Sequence, residues 1–111
     1  MIQYAHIEAA VTVALNVRPE SLASPTRSPE VVLARQVIAY LCREHTTLSF
    51  PEIARMMGKS THTSVWDADR RLRRRIAGRE NVGLGYREKQ SIAEFARCMY
   101  SDARKLAKGS P

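Results

Sequence analysis

Residues 48–76 constrain the fold of this 111-residue chain more than any other segment. They read LSFPEIARMMGKSTHTSVWDADRRLRRRI, in which Gly58 separates two stretches with apolar residues at helical spacing. Ser49 and Glu52 form a capping-box pattern at the start of the first stretch, and Gly58 supplies the left-handed residue that ends it. The second stretch opens on small hydroxyl residues and ends in arginines. The segment therefore predicts a helix-turn-helix unit, whose second helix typically enters the major groove of DNA.

The second helix of this unit is predicted to begin near Ser60 or Thr61. Apolar residues then recur at spacings of three, four and four, which predicts a buried stripe of Val65, Ala68, Leu72 and Ile76. The arginines around this stripe are Arg70, Arg71, Arg73, Arg74 and Arg75. They span more than one turn, so they cannot all face one partner. We expect some of them to pair with Asp67, Asp69 or Glu80, and Trp66 to pack at the edge of the core.

The N-terminal part predicts a helix over residues 2–15, followed by a loop. Its apolar spacing is carried by Ile2, Ala5, Ala9 and Val13, with Val11 and Leu15 nearby. Asn16 is expected to end the helix, because Pro19 cannot continue it. Residues 17–29 hold three prolines and three serines, which is typical of a structured loop and too short for a domain linker.

Two more helices complete the prediction. A long helix, with Ser28 as its cap and Pro29 at its first position, runs to about Glu44. Its core face is formed by Val31, Leu33, Ala34, Val37, Ile38 and Leu41. After a break at 78–85, a last helix spans about 87–107, with apolar residues Ile92, Phe95, Ala96, Met99 and Ala103. We expect one all-α domain of about five helices over 1–111, divided into 1–28, 29–77 and 86–107.

The net charge of +7 is unevenly distributed along the chain. Residues 1–58 hold five arginines and five glutamates, so they carry no net charge. Residues 59–111 hold thirteen lysines and arginines against six acidic residues and therefore carry all of it. A basic surface alone could merely aid solubility. Combined with the predicted helix pair, it favours a polyanionic partner such as DNA.

The sequence contains no motif that indicates another class of function. No apolar run reaches the length of a membrane span, and the N-terminus lacks the basic start of a signal peptide, so we expect a cytoplasmic protein. Cys42 and Cys98 are expected to be reduced, with Cys42 buried. A zinc site would require both cysteines to converge with His45 and His62, whose spacing matches no common zinc pattern. We expect no metal, no cofactor and no small-molecule substrate.

Enzymatic activity is likewise not expected. The sequence shows no paired-carboxylate or Cys–His constellation. Gly58-Lys59-Ser60 resembles half of a phosphate-binding loop, but the glycine that such a loop needs five residues earlier is Ile53 here. ATP-driven assembly or strand opening is therefore not expected of this chain alone.

The motifs together resemble the C-terminal DNA-binding domain of the bacterial chromosomal replication initiator DnaA. That family has a long helix ending in ARQ-x-x-x-YL-x-RE, then LS-x-PEI, a glycine-bearing turn and DHTTV. This chain has ARQ at 34–36, YL at 40–41, RE at 43–44, LSFPEI at 48–53 and THTSV at 61–65. The match covers about residues 5–77 and implies a TrpR-like helix-turn-helix fold that binds short, A·T-rich boxes in double-stranded DNA.

The resemblance also implies which residues contact DNA. In the family, the start of the second helix reads bases in the major groove, and the matching residues here are Thr61, His62, Thr63 and Ser64. A basic residue in the loop before the long helix reaches the minor groove, and by position this is Arg27. Arg35 and Gln36 match the family where the long helix nears the DNA backbone. From their own positions, we expect Lys59 beside the turn and Ser49 at a helix start to contact phosphate, and Pro51 to touch a base methyl group. Arg43 and Ser60 complete the candidate DNA-binding residues.

Several of these positions also have an interpretation without DNA. Ser60 can act as a helix cap, and the position of Pro51 at a helix start is sufficient to explain it. Gln36 and Arg43 can equally belong to a solvated helix face. For Arg35, the resemblance favours a phosphate contact.

The chain departs from the family pattern next to the reading helix. Thr61 replaces the family aspartate before the histidine, and Ser60 replaces the family arginine before that. Glu30 also makes the loop before the long helix less basic. These departures imply either a target that differs from the family box or weaker binding.

Two roles remain open at this stage. The first is a sequence-specific DNA binder in replication initiation or its regulation, or in the control of nearby genes, either as a complete protein or as part of a longer one. The second is a module that kept the fold but lost DNA reading, and whose last helix binds a protein partner or a second copy.

Overall fold

The structure of the protein, a computed structural model, describes residues 1–59 and 62–109. These residues form five α-helices and no strand, apart from one isolated bridge between Asn81 and Ser91. The helices are α1 Tyr4–Leu15, α2 Pro29–His45, α3 Phe50–Met57, α4 His62–Ala77 and α5 Ile92–Gly109. Short 3₁₀ helices at Pro19–Leu22 and Gly85–Arg87 lie in the two longer connections. The all-α prediction is confirmed, and none of the described helices could span a membrane.

Helix α1 forms where the sequence predicts it, but it buries a different face. Gln3 precedes the helix and forms a capping box with His6, and left-handed Asn16 ends it as expected. The core-facing residues are Tyr4, Ile7, Ala10, Val11, Thr12 and Leu15. Val13, placed by the sequence on the main apolar stripe, is 81% exposed. Because the larger side chains of Ile7, Val11 and Leu15 remove more apolar area from water than alanines do, they determine which face packs inward.

Helix α2 is the central element and contacts every other α-helix of the described chain. All six residues of its predicted core face are buried. Cys42 is buried as well, and burial together with the charge of Glu8 raises the pKa of its thiol to about 12. Ser28 occupies the cap position, but the prediction of a side-chain cap is wrong, since its hydroxyl makes no capping bond. Pro29 fixes the helix start instead, because its ring sets φ and its nitrogen needs no partner.

The helix-turn-helix unit follows the sequence prediction closely. Ser49 and Glu52 form the capping box of α3, with the Ser49 amide donating to Glu52 Oε1 at 3.0 Å and the Glu52 amide donating to Ser49 Oγ at 3.3 Å. Gly58 ends α3 in the left-handed region, at φ +85°. In α4, Val65 and Leu72 are buried, whereas Ala68 and Ile76 are partly buried against the same core.

Helix α5 begins at Ile92, five residues later than the sequence predicts. The preceding residues are held by the 3₁₀ helix Gly85–Arg87 and by two backbone hydrogen bonds. The Val82 amide donates to the Gln90 carbonyl oxygen, and the Gly83 amide donates to the Glu88 carbonyl oxygen. Ser91 then caps the helix by accepting a hydrogen bond from the Glu94 amide at 3.1 Å. The apolar residues predicted for this helix are all buried, and α5 packs mainly against α1.

Candidate nucleic-acid interface

Arginine-centred polar contacts fix α4 against α2. Arg73 donates to buried Asp69 at 3.0 Å and to Glu44 of α2 at 3.2 Å. Arg75 donates to the amide oxygen of Gln36 at 3.1 Å and to Glu80 at 3.2 Å. The prediction that some arginines pair with acidic neighbours is thus confirmed. These pairs set the rotation of α4 about its axis and so determine which of its residues face solvent.

The start and outer face of α4 are polar and accessible. His62, Thr63 and Ser64 are all exposed in its first turn. Thr63, Asp67, Arg70 and Arg74 recur at spacings of four, three and four, so they share the solvent face of the helix. Ser60 and Thr61, the other two candidates at this helix start, lie outside the described residues.

A cleft of about 710 Å³ separates α4 from the loop that precedes α2. Residues 23–28, the 23–28 loop hereafter, contribute Arg27 to one wall, and Asp67 and Arg71 of α4 lie on the opposite wall. Lys59, next to the turn, also lines the cleft. The cleft therefore has cationic groups on both walls, and the exposed start of α4 lies at its edge.

Arg27 and Lys59 are the cations that connect the loop to the turn. The side chain of Arg27 is exposed. Lys59 Nζ donates to the carbonyl oxygen of Ser24 at 3.4 Å, which joins the turn to the loop. Partial burial, and secondarily the nearby charge of Arg35, lowers the pKa of Lys59 from its ordinary value. An ammonium group in such surroundings gains from an added negative charge such as a phosphate.

Arg35 faces the loop rather than solvent. Its guanidinium donates hydrogen bonds to the backbone carbonyl oxygens of Ser21, Leu22, Ser24 and Thr26. Four of its five N–H groups are thereby used within the protein. Desolvation lowers the pKa of Arg35 from its ordinary value. Arg35 also lines the cleft, and the phosphate contact predicted for it stays a prediction.

Gln36 is placed differently from one of its two sequence-based interpretations. It is only 6% exposed and accepts a hydrogen bond from Arg75, so it does not belong to a solvated helix face. It also lines the cleft, and its contact with DNA stays a prediction. Arg43 is exposed, donates to the Leu48 carbonyl oxygen at 2.9 Å and lies over the Phe50 ring. It thus stabilises the connection between α2 and α3.

The remaining candidates lie at the start of α3. Ser49 is committed to the capping box, and Pro51 is an exposed residue of the first turn. Trp66 was expected at the core edge, but it is 41% exposed and the guanidinium of Arg70 lies 4.5 Å from its ring centroid. The sequence predicts an arginine partner for Asp67, as Arg71 is, but it does not place this pair on the α4 wall of the cleft. Their i, i+4 spacing, one turn beyond Thr63, was the available signal.

The sequence that forms the helix-turn-helix unit and the cleft matches a known family. A family profile described as the bacterial DnaA protein helix-turn-helix matches residues 4–72, more than half of the chain. The chain belongs to the bacterial DnaA helix-turn-helix family. The family assignment confirms the resemblance read from the sequence motifs. The match begins at the first residue of α1 and ends within α4, so it includes both walls of the cleft.

Individual DnaA proteins align with the same part of the chain. The chromosomal replication initiator protein DnaA of Corynebacterium jeikeium is 35% identical over 77 residues, which cover 69% of this chain and 13% of that protein. The protein of the same name from Cutibacterium acnes is 41% identical over 58 residues, which cover 52% of this chain and 12% of that protein. The chain thus matches only a small part of each relative's length.

Proposed function

We propose that the chain binds double-stranded DNA sequence-specifically, at short A·T-rich sites of the DnaA-box type, in replication initiation or its regulation. The observation that carries this proposal is the cleft between the 23–28 loop and α4, with Arg27, Lys59 and Arg71 along its walls. A helix-turn-helix places the start of its second helix in the major groove while flanking cations contact the phosphates on either side. The arrangement of the cleft supports the same division between a helix start that contacts bases and flanking cations that contact phosphates.

Within this proposal, the contacts fall into two groups. His62 and Thr63, with Thr61 and Ser64 beside them, read bases in the major groove, where a threonine methyl can also pack on a thymine methyl. Arg27 enters the adjacent minor groove, which is narrow and strongly negative in A·T-rich DNA. Lys59 contacts the phosphate backbone between the two grooves, and Arg43 and the start of α3 lie beside that backbone.

The proposed target differs from the family's own box. Ser60 and Thr61 are shorter and uncharged compared with the arginine and aspartate of the family pattern. A bidentate arginine contact to guanine is worth about 1–3 kcal/mol of discrimination, so its loss relaxes the preference at one base pair. We propose that this chain has no ATPase activity, since its only GKS sequence lacks the glycine that a phosphate-binding loop needs five residues earlier. A domain that binds boxes without a motor would compete with a full initiator or regulate nearby genes.

The test is a selection of bound duplexes from a random pool, followed by titrations of the selected box and a shuffled duplex. We expect one preferred box, and a log–log salt slope of about −5 to −7 if five to eight phosphates are neutralised. His62→Ala should reduce the discrimination between the two duplexes by about 1–3 kcal/mol. Lys59→Ala should weaken binding to both duplexes equally.

Lys105→Ala is the matched control for Lys59→Ala, because Lys105 is an exposed lysine on α5 that lines a different groove. It should leave both affinities close to those of the parent protein. Equal losses on both duplexes for His62→Ala and Lys59→Ala would refute the proposed split between base reading and phosphate contact. Absence of any preferred duplex would refute the proposed function itself.

A second candidate function rests on a groove formed by other elements of the fold. Helices α1 and α5, with Tyr86, line a shallow groove that exposes Val13 and Tyr86 to 81% and 87%. Apolar side chains in such positions are typical of protein-binding surfaces. If the selection yields no box, a protein partner or a second copy at this groove becomes the better proposal.

A further inference from the structure

The 23–28 loop has few backbone hydrogen bonds of its own. Within the described chain, the Ser24 amide is the last one along this loop that donates to a backbone carbonyl oxygen. The Thr26 and Ser28 amides donate instead to the side chains of Ser24 and Thr26, at 3.4 and 3.3 Å. Such a loop has little internal reason to hold one conformation, because each fixed residue costs backbone entropy.

Arg35 supplies the missing constraint. From the second turn of α2 its guanidinium donates to Leu22 at 3.0 Å, to Thr26 at 2.9 Å and to Ser21 at 3.1 Å, and it also donates to Ser24. These acceptors are the carbonyl oxygens on both sides of the bend that leads to Arg27. A planar fork of donors in fixed directions can satisfy several carbonyl groups at once, which a lysine cannot do.

The turn of the helix-turn-helix unit holds the same loop from the other side. Lys59 donates to Ser24, which is also an acceptor for Arg35. A Cβ atom at Gly58 would lie 2.9 Å from Cβ of Ala23, so the loop packs directly on the turn. The loop is therefore tied both to α2 and to the turn before α4.

We infer that Arg35 is a positioning residue for DNA reading: it holds the 23–28 loop so that Arg27 reaches the minor groove while α4 occupies the major groove. This inference rests on the proposed function. It reverses the role expected from the sequence, where Arg35 itself contacts a phosphate. Its consequence is that Arg35 and Arg27 act as one unit, since Arg35 contributes to affinity only through the residue that it positions.

The experiment is a double-mutant cycle on the duplex selected above, with Arg27→Ala, Arg35→Lys and the double variant. Arg35→Lys keeps the charge but loses the fork. We expect it to weaken binding to the selected duplex about tenfold, and to change the affinity less than twofold when Arg27 is already alanine. Arg35→Met should behave like Arg35→Lys, because the geometry rather than the charge is what matters.

A direct phosphate contact predicts a different pattern. In that case Arg35→Lys would bind almost as well as the parent, Arg35→Met would make the salt slope shallower by about 0.9, and the effects of the Arg27 and Arg35 changes would add. Any of these three results would overturn the inference.

Hydrogen exchange of the free protein tests the same inference without DNA. In Arg35→Lys, the amides of residues 22–24 and 26–28 should exchange at least tenfold faster, while the amides of α5 keep their parental rates. Unchanged exchange in the loop would overturn the positioning role. If the loop amides accelerate but the parent protein prefers no duplex, the proposed function fails while the structural role of Arg35 stands.

Discussion

Asp67 and Arg71 lie one turn apart on α4 and form an ion pair of 2.6 Å on the wall of the cleft. Their side chains are 49% and 64% exposed, so solvent screens the pair and its contribution to folding stability is small. In the proposed complex its effect is larger, because the Asp67 carboxylate neutralises Arg71, one of the cations available to a phosphate. We therefore expect Asp67 to reduce the affinity of the cleft for DNA.

Asp67→Asn should raise the affinity for every duplex. Removing one negative charge a few ångströms from a phosphate contributes about 1 kcal/mol across water, which corresponds to about a fivefold increase. Arg71 is released at the same time, and the salt slope should become steeper by about 0.9 for the added phosphate contact. Fluorescence anisotropy at several salt concentrations measures both quantities.

Asp102→Asn is the control, because it makes the same charge change on exposed α5. An equal gain in that variant would show that only the net charge matters. A changed preference at one base pair in Asp67→Asn would show instead that Asp67 reads a base.

Single residues were also where the sequence was least able to predict the site. The motifs indicated that Arg35 and Gln36 belong near the DNA, but not which way their side chains point. Arg35 turns toward loop carbonyl groups twelve or so residues earlier in the chain, and Gln36 is buried against Arg75. These are contacts between distant segments, and no local pattern encodes them.

At the scale of elements, the turn between α3 and α4 depends on Gly58. Its φ of +85° is a conformation that side chains with a Cβ adopt only at a cost, and the space beyond it is filled by Ala23. The turn and the 23–28 loop are therefore packed against each other.

Gly58→Ala should destabilise the fold by about 1–3 kcal/mol, because left-handed strain and the contact with Ala23 add. Urea denaturation measures the change. Gly109→Ala is a suitable control, since a Cβ there meets nothing within 4 Å. A loss below about 0.5 kcal/mol for Gly58→Ala would contradict the close packing of the loop on the turn.

The orientation of α1 gives a second prediction. Ile7→Ala should cost about 2–5 kcal/mol of folding stability, because the side chain is fully buried. Val13→Ala should change stability by less than about 0.5 kcal/mol, because Val13 is exposed. Denaturant titrations of the two variants separate the observed face from the one inferred from the sequence, which would reverse the order.

The helices themselves were predictable where local signals were strong. Capping at Ser49, the glycine at position 58 and the apolar stripe of α4 fixed the central unit. Helix α1 is apolar around most of its surface, so its periodicity could not identify the buried side. The start of α5 was placed too early, although Ser91 and Glu94 carry a capping pattern that marks the true boundary.

For the molecule as a whole, the cleft and the groove are formed by different elements. The cleft with Arg27 and Lys59 lies between the 23–28 loop and α4, whereas the groove with Val13 and Tyr86 lies between α1 and α5. The cleft carries the proposed DNA binding, and the groove is the site of the alternative proposal. The sequence places the excess of basic residues after position 58. The cleft also depends on Arg27, which lies before that position in the chain.

The most direct test of the account is a titration of the isotope-labelled protein with the selected duplex, followed through its backbone amide signals. Binding through the cleft predicts the largest changes at residues 24, 26, 27, 59–64, 67 and 71. It predicts no significant change at Val13 or Tyr86. Large changes along the α1–α5 groove, with the start of α4 unaffected, would contradict it.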